Sequence, residues 1–167
     1  MDTTTVSLII AVLAFLIAIA AFFKKPAQTA PPVTPTHANA GQLKLQAYER
    51  LVLLCERIAL PNLISRLNKP GISAFEMKII LTENIKQEFE YNSTQQLYVN
   101  QASWDAVKNL KEQNIMIVNQ VAANLPNDAG AGELNKKIIE LLMSQPGISN
   151  HEMVLQILNT EAKRLLQ

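Results

Sequence analysis

Val6 to Phe23 reads VSLIIAVLAFLIAIAAFF, eighteen residues with no charge, proline or glycine, closed on one side by Lys24-Lys25. A helix of that length rises about 27 Å, just under the roughly 30 Å of a bilayer's hydrocarbon, so it crosses with little tilt while the lysines snorkel. Twelve of the eighteen are Leu, Ile, Val or Phe. At roughly −0.3 to −0.6 kcal/mol each, they favour insertion by about 4 to 7 kcal/mol. The stretch is therefore expected to be a single N-terminal transmembrane helix, with residues 1–25 as the anchor and the bilayer as its partner.

The flanks give the orientation. Met1 to Thr5 carry no Lys or Arg, whereas two lysines follow the run. The positive-inside rule then puts the amino terminus outside and everything beyond Lys24 in the cytoplasm. A cleaved signal peptide competes, because Ala18-Ile19-Ala20 has small-x-small spacing. Such a peptide carries its positive charge ahead of an apolar core of about 7–15 residues; here an acid precedes a longer core and the lysines follow it. Ser7, Ala11, Ala14, Ala18 and Ala21 recur at spacings of four and three, which aligns small side chains on one face. Such a face lets helices approach closely and offers a route to a homo-oligomer, although alanine is common in membrane helices anyway.

Working outward, Pro26 to Gly41 (PAQTAPPVTPTHANAG) holds four prolines and no charge. It lacks the apolar residues for a core and is expected to be a flexible, partly polyproline linker containing His37. Residues 42–167 then have the length of one domain. Beyond Lys25 there are thirteen basic residues (all fifteen but Lys24 and Lys25) and thirteen acidic ones (all fourteen but Asp2). A neutral domain has no basic field for nucleic acid and no polybasic grip on anionic lipid. The single cysteine, Cys55, excludes an internal disulfide framework and suits a reducing compartment.

Within the domain, three-and-four spacing predicts helices. Leu45, Tyr48, Leu51, Val52, Cys55, Ile58 and Ala59 line the first, Gln42 to Leu60; Pro61 ends it, leaving a turn or two to Leu67. Met77, Ile80, Leu81, Ile85 and Phe89 line the second, Ala74 to Tyr91. A short turn carries Leu97 to Val99. Trp104, Val107, Leu110, Ile117, Val118, Val121 and Leu125 line the third, Ser103 to Leu125. Two more run from Glu133 to Met143 and from Asn150 to Leu166. The expected fold class is all-α: an anchor, a Pro-rich linker and a bundle of roughly five helices.

Pro70-Gly71-Ile72-Ser73-Ala74-Phe75-Glu76-Met77 returns seventy-six residues later as Pro146-Gly147-Ile148-Ser149-Asn150-His151-Glu152-Met153, with six of eight residues identical. In each copy Pro-Gly stops what precedes, Ser73 or Ser149 caps a new helix, and Glu76 or Glu152 reaches back to complete a capping box. Helix-start chemistry accounts for every matched residue, so a duplicated ligand loop is the weaker reading.

No catalytic, cofactor-binding or metal-ligating residue is assigned. The two histidines, His37 and His151, lie apart, and His and Cys do not cluster. Glu83, Glu88 and Glu90 spread around a helix and read as a solvated face. Gly130-x-Gly132 lacks the strand and the Lys of a phosphate loop. The best candidate partner surface is Tyr91, Asn92, Gln95, Gln96, Tyr98 and Trp104, where aromatics mix with neutral amides as at protein contacts; a helix corner also collects aromatics.

Leu45-Gln46-Ala47-Tyr48-Glu49-Arg50-Leu51, Glu56-Arg57, Glu88-Phe89-Glu90-Tyr91-Asn92, Gln95-Gln96-Leu97-Tyr98-Val99 and Trp104 with Val107-Lys108 resemble an uncharacterised family of short bacterial proteins with an amino-terminal membrane helix. The resemblance implies an inner-membrane anchor with a helical cytoplasmic domain, and brings no activity, cofactor or catalytic residue. The expectation is a membrane-tethered interaction or scaffold module without catalysis, meeting a protein partner. Two alternatives stand beside it: an enzyme whose site forms between helices from residues such as Glu49, Arg57 and Tyr91, and a structural subunit of a larger membrane complex.

Overall fold

In a computed structural model, the structure describes residues 37–145, 147 and 149–166. The expected anchor, its orientation, the face from Ser7 to Ala21 and the linker up to Thr36 lie outside those residues. Among the described residues, no helix is long and apolar enough to cross a membrane.

The described chain is all-helical: α1 (His37–Ile58), α2 (Leu60–Leu67), α3 (Ala74–Tyr91), a 3-10 turn (Ser93–Leu97), α4 (Gln101–Ala123), α5 (Ala131–Ser144) and α6 (His151–Arg164). Six α-helices replace the roughly five expected, because the segment after Pro61 is a helix in its own right. Pro61 sits in the first turn of α2, where its missing N–H is no loss, so it starts an element as well as ending one. Helix α1 begins at His37, five residues before the expected Gln42. Helix α4 begins at Gln101 rather than Ser103, because Asn100 caps it by accepting from the Ser103 amide at 2.8 Å.

One core joins all six helices. Leu51, Leu54, Ile58, Leu63, Met77, Leu81, Ile85, Leu110, Ile117, Leu134, Ile138 and Leu158 are fully or almost fully buried. Helix α3 packs chiefly on α4 and α1 chiefly on α6, with α5 against α3. Helix α1 meets α2, α3, α4 and α6, which explains why Ala47 and Leu54 are buried beyond the single face its spacing suggests. Cys55 also lies in the core, and burial pushes its thiol up to about 12. Within this core, Asn114 donates from Nδ2 to the Ile58 carbonyl at 2.8 Å. That carbonyl lies at the last residue of α1, where the helix is interrupted at Ala59 before α2 begins.

The starts of α3 and α5 are tied together. An isolated antiparallel bridge pairs Ser73 with Gly130. The Ala74 amide donates to the Ala129 carbonyl at 2.8 Å, and the Ala131 amide to the Ile72 carbonyl at 3.0 Å. Gly71 makes the preceding turn with φ at 81°, in the left-handed region that glycine enters without steric cost.

Candidate functional site

The first helix start forms both halves of a reciprocal pair. Ser73 Oγ accepts from the Glu76 amide at 3.1 Å, and the Ser73 amide donates to Glu76 Oε2 at 2.9 Å. That backbone donor, with the Ser73 hydroxyl, holds the Glu76 carboxyl below its ordinary value. The second copy departs from expectation. Asn150, not Ser149, is the N-cap of α6, and no side chain caps the helix. Asn150 is turned toward helical ψ (φ −78°, ψ 17°) rather than extended, and its amide donates to Gln113 Oε1 at 3.1 Å. Glu152 therefore falls one position short of where a capping-box glutamate stands.

His151 is not exposed as its place in a first turn suggests. Its side chain is 17% exposed, with Nε2 3.8 Å from Glu56 Oε2 and Nδ1 3.5 Å from Glu152 Oε1. It lines a cleft of about 530 Å³ together with Glu56, Asn62, Gln145 and Glu152. Asn62 Nδ2 donates to the Glu56 carbonyl at 3.0 Å and to its Oε2 at 3.2 Å.

The six residues of the expected partner surface divide. Tyr91 is 74% exposed, and Gln96 and Tyr98 are also exposed, whereas Asn92, Gln95 and Trp104 are buried. The cause is the packing of the corner between α3 and α4. Phe89 lies against Trp104 with ring centroids 5.0 Å apart, and Lys111 Nζ lies 4.6 Å from the Phe89 ring centre. Asn92 donates from its side chain to the Glu88 carbonyl at 2.9 Å, closing the end of α3. Half of the patch is thus corner rather than surface.

What the sequence did not offer is a groove between α1 and α3, about 560 Å³ in volume, lined by Arg50, Leu53, Leu54, Arg57, Asn84, Gln87, Glu88, Tyr91 and Asn92. At its edge Glu88, expected on a solvated face, accepts from the guanidinium of Arg57 and from Arg66 Nη1 at 3.2 Å. Arg66 also donates from Nη2 to the Arg57 carbonyl at 3.0 Å and to Asn84 Oδ1 at 3.2 Å. Two guanidiniums thereby share one carboxylate. The Arg57 bond, then Arg66, hold Glu88 below the ordinary carboxylate value against a partial burial that opposes them. Arg57 and Arg66 lie 31 and 22 residues from Glu88, so no local spacing announces the cluster.

Above the cluster, Arg50 sits 5.7 Å over the Tyr91 ring. Arg57 and Tyr91, named for an inter-helix enzyme site, both line this groove, whereas Glu49 does not. Among the described residues, no group of three or more His, Cys, Asp or Glu could hold a metal ion. The groove presents guanidinium, amide, aliphatic and aromatic groups together with the Glu88 carboxylate, which Arg57 already holds, leaving Arg50 as the guanidinium without a carboxylate partner in the lining.

No curated protein and no solved structure matches the chain. One family model, described as a family of unknown function (DUF7935), matches residues 1–165.

Proposed function

We propose that this chain, which belongs to the DUF7935 family, is a membrane-tethered helical interaction module. The observation that carries the reading is the α1–α3 groove, which presents Leu53 and Tyr91 to solvent beside Arg50 and Arg57. Exposed aromatic and arginine side chains around a recess are what protein contact sites use. The run from Val6 to Phe23 anchors the chain in the inner membrane with its amino terminus outside and the helical domain cytoplasmic. The eleven residues from Pro26 to Thr36 give a reach of about 35 Å if extended. Anchoring confines the domain to a thin shell near the bilayer and raises its effective concentration toward partners there.

The test is in vivo crosslinking with purification from mild detergent, run beside protease treatment of intact spheroplasts. Recurrent recovery of one partner, with the domain protected from external protease, supports the module. A domain digested from outside, or released by carbonate washing, contradicts the placement; repeated recovery of the chain alone contradicts the role.

A further inference from the structure

We infer that the α1–α3 groove takes an acidic segment of a partner protein, one pairing Asp or Glu with Leu or Phe within a helical turn. The inference rests on the interaction-module reading and gives its partner a chemistry.

Arg50, Leu53 and Arg57 follow three-and-four spacing, so they form one stripe along two turns of α1, about 10 Å long. The order along it is cation, leucine, cation. Leu53 is 59% exposed in the middle. Tyr91 of α3 faces the stripe, its ring centre 5.7 Å from the Arg50 guanidinium carbon. Asn84, Gln87 and Asn92 complete the lining.

Charge decides the class of occupant. Two cations, Arg50 and Arg57, line the groove against one acid, Glu88, whose charge is also met by Arg66 from outside the lining. The domain as a whole is neutral, so this excess of positive charge is local. Glu49 and Glu90, the chain neighbours of Arg50 and Tyr91, do not line the groove. An incoming carboxylate meets planar, bidentate donors, and an adjacent apolar side chain covers Leu53 and the Tyr91 ring. No lysine lines the site, and its amides and apolar wall match a peptide better than a phospholipid headgroup.

The test selects a random peptide library on the full chain in nanodiscs. Expected are peptides enriched in Asp or Glu next to Leu or Phe. Their affinity, read by fluorescence anisotropy, should fall about tenfold on Arg50→Glu or Leu53→Asp and fall again with added salt. Lys136→Glu on α5 should leave it unchanged. Circular dichroism confirms that each variant keeps its helices, since both groove residues are exposed. Peptides without acidic enrichment, or binding that survives both groove variants, overturn the inference. Binding to phosphatidylserine vesicles that Arg50→Glu abolishes, with no acidic peptides selected, also overturns it. If a partner crosslinked in cells is still recovered with Arg50→Glu and Leu53→Asp, the groove is wrong and the module reading stands.

Discussion

Asn114 shows what one side chain does inside an apolar stripe. Its Nδ2 meets the Ile58 carbonyl in a site closed to water, so Asn114→Leu leaves a buried acceptor without a donor. The expected loss is about 1–3 kcal/mol, read as a lower urea midpoint at unchanged slope. Glu88→Gln should also destabilise, by an amount that depends on pH. Glu88's folded value lies below its ordinary 4.5, so its contribution is complete above that value and is lost as pH falls through the folded one. Melts at neutral pH should separate Glu88→Gln from the parent chain, whereas melts in strong acid should not. Neither role is legible in sequence: the Asn114 partner is 56 residues away and the Glu88 partners are 31 and 22 away. Spacing rules report which residues share a helix face, not which faces meet.

Helix starts are the elements that the sequence describes best and also where it misleads. Ser73→Ala removes an acceptor from the first turn of α3 and should cost about 1 kcal/mol. Ser149→Ala, in a nearly identical octapeptide, should shift the melting midpoint very little, because no side chain caps α6. Thermal unfolding of the two variants side by side checks the contrast. The capping box at Ser73 was legible because every group it needs lies within four residues. At Ser149 the same letters meet a different environment: Gln113 takes the Asn150 amide, and α6 starts one residue later. The corner at Tyr91 to Trp104 has the same lesson. Its composition fits a packed corner as well as a contact surface, and both are present in part: α4 folds back on α3 and draws Trp104 onto Phe89, leaving Tyr91, Gln96 and Tyr98 outside.

At the scale of the molecule, α1 and α6 pack on each other and on α4, so the first and last described helices close the same core. Leu158 is fully buried there, and Leu158→Ala should cost about 2–5 kcal/mol. Because the core is shared, the loss should fall on the whole bundle rather than on α6 alone. Fluorescence of Trp104, the only tryptophan, and far-ultraviolet circular dichroism should then move to the same lower denaturant midpoint. The helical class and most core positions follow from apolar spacing, whereas the pairing of helices depends on surfaces far apart in the chain. The bridge between Ser73 and Gly130 is one such pairing. First-turn amides normally trade their protons quickly with solvent, having no carbonyl behind them. Ala74 and Ala131 each find one on the other's approach segment. In deuterium oxide these two sites should keep their protons together and surrender them together, a paired clock for the separation of α3 from α5.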